Sequence, residues 1–206
     1  MSKMTGMELV QFCRSKIGTP YVFGMDGTVL TREKYNDLKK RYPDYVWNSD
    51  AQKIGKVCVD CSGLLQWAAG IDKTSYAWYD EATKKENIAS IKKAPIGALV
   101  WKKGHIGVYS GMKKGVAYYI AADGSQYGVR EVSISQNQFT HWLLAEDVFS
   151  YEEEEMVVKD KIIVNGAEYE VSMIRKEGVT YIKTRDIANA LGMAVSNKGR
   201  IPVLEK

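Results

Sequence analysis

The sequence predicts an α+β protein: N-terminal helices packed on an antiparallel sheet, followed by a small C-terminal α+β module. Three observations predict it. Apolar residues recur at helical spacing through the first third of the chain. After Ala98, short runs rich in β-branched and aromatic residues alternate with glycine turns. The acidic run Glu152-Glu153-Glu154-Glu155 then separates these from a second, shorter set of strand and helix signals.

The first helix is expected over residues 6–17. Thr5 and Glu8 make a Thr-x-x-Glu capping box, and Leu9, Cys13 and Ile17 share one face. Gly18-Thr19-Pro20 ends it, and Tyr21 to Gly24 follows as an extended piece or turn. A second helix runs from Thr31 to Arg41, with Tyr35, Leu38 and Tyr42 at helical spacing and Pro43 beyond its end. Residues 44–57 read as a polar connection. A third helix opens at Cys61 with Asp60 as N-cap. Its apolar face is Cys61, Leu64, Leu65 and Ala68, and Gly70 is its stop. Residues 75–90 carry another helix or an irregular segment.

Ala98 to Trp101, His105 to Tyr109, Val116 to Ile120 and Gly128 to Val132 read as strands of an antiparallel meander. Helices followed by strands give one domain over residues 1–149. Residues 150–156 read as a solvated acidic linker. Residues 157–206 hold strand signals at 161–164, 168–171 and 180–183, with Asn165-Gly166 as a hairpin turn. A helix over 184–191 stops at Gly192, and a last strand lies near 201–204. A module this small has a thin core and leans on a neighbour or partner.

Charge and composition exclude several classes. The 206 residues carry a net charge of +4. Residues 151–206 hold 9 basic and 10 acidic side chains, leaving 20 basic and 15 acidic for residues 1–150. A mildly basic first domain suits an anionic polymer partner. No basic run with interleaved aromatics tracks a nucleic-acid strand, so nucleic acid is not an expected partner. No apolar run approaches the ~18 residues of a membrane span, so no membrane insertion is expected. The start, Met1-Ser2-Lys3-Met4-Thr5-Gly6, shows no signal-peptide apolar region. The expectation is synthesis in a cytoplasm without a leader, with any outside substrate reached by another exit route.

The cysteines are Cys13, Cys58 and Cys61, an odd count that argues against a disulfide framework. Cys13 reads as a core residue. Cys58 and Cys61 form a Cys-x-x-Cys, but there is no second pair, and His105 and His141 are far apart in sequence. A zinc site is therefore not expected. Redox pairs open a helix with the first cysteine, whereas here the second does. No metal or other cofactor is expected.

The string Val59-Asp60-Cys61-Ser62-Gly63-Leu64-Leu65 puts a thiol at the start of an apolar helix. The helix dipole there favours the thiolate, as a reactive cysteine requires. A cysteine nucleophile also needs a base and an oxyanion donor. His105 begins a strand 44 residues later, where its imidazole can project across the helix end. A helix-borne cysteine facing a strand-borne histidine is a papain-like geometry and points to a cysteine hydrolase or transferase. His141, in Gln138-Phe139-Thr140-His141-Trp142, reads as structural or surface.

Gly18-Thr19-Pro20-Tyr21-Val22-Phe23-Gly24, Asp60-Cys61-Ser62-Gly63-Leu64 and Gly104-His105-Ile106-Gly107-Val108-Tyr109 stand in that order. Together they resemble the three blocks of NlpC-type (p-sixty-like) peptidoglycan cysteine peptidases. Ile120-Ala121-Ala122 and Tyr127-Gly128-Val129 resemble the end of the catalytic sheet in bacteriophage endolysins of that family. The resemblance covers residues 5 to about 149. It implies Cys61 as nucleophile, His105 as general base, and Tyr21 as the hydroxyl beside the nucleophile that helps the oxyanion. Tyr21 as a packed core aromatic is the alternative. It implies Asp60 and Ser62 near the stem-peptide end of the substrate, although a helix cap also explains Asp60. The implied activity is hydrolysis of a stem-peptide amide, the bond from D-isoglutamate to the diamino acid, without a cofactor. The alternatives are an N-acetylmuramoyl-L-alanine amidase with the same dyad and a catalytically silent wall-binding protein.

One departure stands out. The family carries a third polar residue that orients the base, and Ala121 occupies that place. Asp123, Gln126 or a backbone carbonyl takes the role, the alignment slips by a residue or two, or a weakened dyad suffices. In the C-terminal part, Ile162-Ile163-Val164-Asn165-Gly166 through Tyr181-Ile182-Lys183-Thr184-Arg185-Asp186 to Leu191-Gly192 resembles the small module named after the copper amine oxidase N-terminus. That module recurs in Gram-positive wall proteins and some phage lysins. No His/Cys/Met ligand set accompanies it, so no copper is expected. It implies wall anchoring or homo-oligomerisation; a stabilising appendage is the alternative.

Overall fold

The computed structural model describes residues 3–151, 157–176, 179–199 and 201–205. The acidic run at 152–155 lies outside the described residues. The chain divides into two compact units, residues 1–152 and 153–206. Each is α+β, and the main sheet of each is antiparallel.

The first unit opens with β1 (Met4–Thr5) and α1 (Gly6–Ser15). The Thr5 hydroxyl accepts the Glu8 amide at 3.1 Å, and Glu8 Oε2 accepts the Thr5 amide at 2.8 Å. This reciprocal cap fixes where the helix starts. Leu9, Val10 and Cys13 form its buried face. Ile17 does not join them and is 47 % exposed. The helix stops at Ser15, so the four-residue spacing no longer returns residue 17 to the core side.

β2 (Asp26–Val29) and β3 (Val57–Val59) pair antiparallel, and α2 (Arg32–Arg41) lies between them in sequence. Thr31 caps α2 by accepting the Lys34 amide at 3.1 Å. Tyr35 and Leu38 pack into a cluster with Val22, Met25, Leu30, Val46 and Cys58. The polar connection that follows contains a 3-10 turn over Asn48–Lys53.

α3 (Cys61–Ala69) begins directly after β3 and Asp60, and α4 (Ser75–Asp80) follows it. Asp60 Oδ1 accepts the Gly63 amide at 2.7 Å and starts α3. Gly70, at φ 69°, ends it in the left-handed region.

The remaining strands of this unit are β4 (Lys84–Asn87), β5 (Leu99–Lys102), β6 (His105–Lys113), β7 (Val116–Ala122), β8 (Val129–Ser133), β9 (His141–Leu144) and β10 (Phe149–Ser150). Six of them form one antiparallel sheet in the order β4-β9-β5-β6-β7-β8. β5 to β8 are the meander. β9 and β4 extend its β5 side, so the segment 75–90 contains a strand as well as a helix. β10 pairs in parallel with β1.

Strand alternation gives the sheet two apolar faces. Ile106, Val108, Ile120 and Ala122 pack with Leu9, Leu64 and Leu65 of α1 and α3. Tyr109, Tyr119 and Ala121 pack on the other face with Ile91 and Phe139. Leu64 and Leu65 are fully buried, and truncating either to alanine costs about 2–5 kcal/mol. This packing holds the start of α3 against the start of β6.

The second unit has a three-stranded sheet of β11 (Val158–Val164), β12 (Ala167–Lys176) and β13 (Val179–Ile182). α5 (Thr184–Ala190) follows, then a hairpin of β14 (Ala194–Lys198) and β15 (Ile201–Glu205). Asn165 and Gly166 turn the first hairpin with φ values of 50° and 82°, the left-handed pair that two-residue hairpin turns require. Among the described residues of this unit, Val171, Met173, Ala188 and Ala190 are buried. Among the described residues of the whole chain, no helix is long and apolar enough to cross a membrane.

Candidate active site

Residues 18–24 are pinned on both sides by backbone hydrogen bonds. The Val59 amide donates to the Pro20 carbonyl at 3.0 Å and the Val22 amide to the Val59 carbonyl at 3.2 Å. On the other side, Gly18 N–H donates to Val129 O and Val129 N–H to Thr19 O, each at 2.9 Å. Gly128 permits this approach: a Cβ there would stand 2.5 Å from the Thr19 carbonyl oxygen, and its φ is +65°. The segment carrying Tyr21 is thus locked between the strand that leads into Cys61 and the strand after Asp123.

The start of α3 is built as tightly. A Cβ on Gly63 would stand 2.1 Å from the Met25 carbonyl oxygen. That same carbonyl accepts the Asp60 amide at 2.7 Å. Asp60 Oδ2 accepts the Gly24 amide at 2.8 Å, and the Ser62 hydroxyl donates to Oδ1 at 3.1 Å. Burial raises the Asp60 carboxyl above its ordinary value against these hydrogen bonds.

Cys61 is 7 % exposed and packs with Leu64, Leu65 and Ile106. The backbone amides of Ile106, Ser62 and Cys61 lie near its sulfur and favour the thiolate. The Ile106 amide belongs to the peptide that joins Ile106 to His105, so the thiol lies against the start of the strand carrying the histidine. The expected easy thiolate is not found. Burial pushes the Cys61 thiol up to about 12, and the Asp60 carboxylate adds to that, outweighing the three amides. Low dielectric penalises the anion more than one helix end favours it. Tyr21 is half-buried beside this thiol; burial raises its phenol, and the charges of Cys61 and Asp60 raise it further.

His105 Nε2 lies 2.9 Å from Asp123 Oδ1. The Asp123 side chain is 2 % exposed. Its Oδ2 accepts the Tyr119 hydroxyl at 2.6 Å and Arg130 Nε at 2.7 Å. Burial works to raise the Asp123 carboxyl, but the hydrogen bonds from His105, Tyr119 and Arg130 outweigh it and hold it below its ordinary value. An ionised Asp123 accepts a hydrogen bond from the imidazole Nε2–H. Nδ1 then carries the lone pair, and no described residue hydrogen-bonds to it. Phe139 stacks on the imidazole at 5.7 Å between centroids.

Of the side chains expected as candidates to orient His105, Asp123 is the one hydrogen-bonded to its imidazole. The register pairs Val108 with Ile120, and three residues outward on each strand His105 faces Asp123. Side chains alternate along a strand, so residue 123 shares a sheet face with residue 121. Ala121 is fully buried beside Gly107, where an added Cβ would lie 3.0 Å from the Ala121 Cβ. Gln126 is exposed in the following turn and makes no hydrogen bond to His105. Tyr119, Arg130 and Phe139, which hold Asp123 and the imidazole, were not identified from sequence. Tyr119 carried a signal, since it lies four residues before Asp123 on the same face.

The other candidates fall away from this centre. Cys58 sits in the cluster under α2, separate from that of Cys61, and all three cysteines are free. His141 opens β9 and packs edge-on to Tyr79, 5.4 Å between centroids. Among the described residues, no three His, Cys, Asp or Glu side chains converge as metal ligands.

A cavity of about 560 Å³ opens over the thiol. Cys61, Ser62 and Gly104 are among its lining residues, as are Phe23, Tyr42 and Tyr45. Its size suits a small peptide or a glycopeptide fragment. No protein-family model matches the chain, and searches of curated proteins and of solved structures find no match.

Proposed function

We propose that the protein is a cysteine peptidase of NlpC type with a papain-like core, a peptidoglycan hydrolase that cuts stem-peptide amide bonds. The observation that carries this reading is the His105–Asp123 hydrogen bond, set beside a thiol that leads a capped helix and faces a cavity. The base is oriented by a buried carboxylate, and the nucleophile stands at a helix end with backbone amides beside it. This is the arrangement acyl transfer requires. Ala121 no longer argues for a silent wall-binding protein, because Asp123 supplies the acceptor from the same sheet face.

The chemistry follows from the protonation states. Cys61 rests as a thiol because burial holds its proton. As Sγ attacks the amide carbon, the S–H proton passes to His105 Nδ1. Asp123 steadies the imidazolium so formed. The oxyanion is met by the Cys61 amide and the Tyr21 hydroxyl. The C–N bond then breaks while Nδ1–H protonates the leaving amine, giving a thioester. Water adds to the thioester, loses a proton to Nδ1, and the thiol regains that proton as the carboxylic acid departs. Asp60 and Ser62 shape the cavity floor next to the sulfur, where the stem-peptide end would lie.

The residue 153–206 unit is proposed to anchor the enzyme to the wall or to a second copy. Mass spectrometry of fragments released from purified Gram-positive walls tests the reading. A cut between D-isoglutamate and the diamino acid is expected. Fragments with a free muramic lactyl group would make the protein an amidase, and binding without any released fragment would overturn the enzymatic reading.

A further inference from the structure

Asp50 has no solvent exposure, although it sits in the segment that reads from sequence as a polar connection. Its partner is Lys53, Nζ to Oδ1 at 2.6 Å, with the lysine side chain 16 % exposed. A buried carboxylate and ammonium are costly to desolvate and are retained where both are fully hydrogen-bonded. Here they are. Asp50 Oδ2 accepts the Trp47 amide at 2.8 Å. Lys53 Nζ also lies 2.7 Å from the Tyr21 carbonyl, 2.9 Å from the Ser125 carbonyl and 2.6 Å from the Ser125 hydroxyl, so its N–H donors are shared among these acceptors and Asp50. The Ser125 hydroxyl in turn donates to Asp50 Oδ1.

The destinations of these bonds are not arbitrary. Tyr21 and Ser125 belong to the two loops that flank the proposed centre. Ser125 stands two residues after Asp123, in a turn closed by Asp123 N–H to Gly128 O at 2.9 Å. One ammonium therefore clamps the loop of the oxyanion tyrosine to the loop of the orienting aspartate. The Ser125 turn has no helix or strand of its own at this point, whereas the Tyr21 segment is also bridged to Val59.

We propose that the Asp50–Lys53–Ser125 network is a positioning device for the active site. Through Ser125 it sets the turn that carries Asp123 against His105. Through the Tyr21 carbonyl it sets the phenol beside Cys61. The inference rests on the reading of Cys61, His105 and Asp123 as a catalytic set, and none of the three network side chains touches the reacting atoms.

The test uses the full chain and two readouts. The first is the imidazole N–H spectrum of ¹⁵N-labelled protein, which is simple because the chain has only two histidines. In wild type, His105 Nε2–H is expected as a downfield, exchange-protected resonance that His141→Gln retains and Asp123→Asn abolishes. Ser125→Ala and Lys53→Met are expected to broaden it by faster exchange with water, and Ser125→Thr, which keeps the hydroxyl, to restore it. The second readout is wall lysis. Ser125→Ala is expected to lower kcat about tenfold with KM nearly unchanged, and to add little further loss in an Asp123→Asn background, as coupled residues do. If Lys53→Met does not fold, Ser125→Ala decides alone.

A folded Ser125→Ala protein with the wild-type resonance overturns the proposal, as do losses that multiply with Asp123→Asn. A wild-type protein that does not lyse walls would sink the proposed substrate instead, while the resonance would still decide the network.

Discussion

Asp123 faces His105 across the ends of two paired strands, Oδ1 to Nε2 at 2.9 Å. Its other oxygen is held by Tyr119 and Arg130. The carboxylate cannot rotate away without leaving two donors unpaired in a nearly closed site, so the imidazole is oriented by a fixed rather than a mobile partner.

Asp123→Ala removes that orientation while sparing nucleophile and base. It is expected to lower kcat by about 10⁴-fold, the loss typical of an orienting carboxylate, with little change in KM. Gln126→Ala touches an exposed side chain and is expected to stay within about twofold of wild type. Turbidity loss of purified walls measures both.

Tyr21→Phe removes a hydroxyl that makes no hydrogen bond to another described residue; the Lys53 bond is to the Tyr21 backbone carbonyl. Loss of one oxyanion donor costs about 10²- to 10³-fold in kcat, and that is the expected effect. The thermal midpoint is expected to be unchanged. A fall in midpoint with full activity would assign Tyr21 to packing alone.

Gly63→Ala drives a methyl group into the Met25 carbonyl, 2.1 Å from where it would sit. Overpacking of this kind costs about 1–3 kcal/mol, and backbone gives way less readily than a side chain. Urea denaturation is expected to show a lowered midpoint, with activity reduced because the same turn carries Cys61.

Acid stability depends on Glu131. Burial works to raise its carboxyl, but Arg14, Ser110 and Lys113 outweigh it and hold it at about 2, against an ordinary 4.5. A carboxyl whose folded value is depressed stabilises the fold above its unfolded value and loses that contribution as pH falls through the folded one. Stability is therefore expected to drop between about pH 4.5 and pH 2. Asp123, also depressed, acts in the same direction. Glu131→Gln is expected to flatten this part of the profile of unfolding free energy against pH. An unchanged acid limb would show that the Arg14–Glu131 pair contributes nothing.

The helix starts were legible in the sequence because caps are local chemistry. Thr5, Thr31 and Asp60 each sit where a side-chain oxygen meets an amide three residues on. The flanks of the sheet were not. β4 is Lys84-Lys85-Glu86-Asn87, exposed along its whole length, with no alternation to announce it. It is a strand only because β9 offers it a ladder. β9 itself, with Trp142, Leu143 and Leu144 buried in succession, lacks the period of a half-exposed strand. β14 was missed for the same reason as β4: exposed residues whose partner, β15, lies across a glycine turn. Cys61, His105 and Tyr21 stood out as candidates through their flanks. Asp123 was one of several candidates because choosing among them required the register of two strands. The Asp50–Lys53 pair was invisible, since an i, i+3 pair of opposite charges in a polar stretch looks like any solvated surface.

Cys61, and neither of the other two cysteines, is the proposed nucleophile. The direct measurement is turbidity loss of purified Gram-positive walls by wild type and by three single variants, each checked for folding by circular dichroism. Cys61→Ala is expected to abolish lysis, while Cys13→Ala and Cys58→Ala, which change buried thiols away from the cavity, retain it. A folded Cys61→Ala protein that still clears walls at the wild-type rate would mean that Cys61 is not the nucleophile.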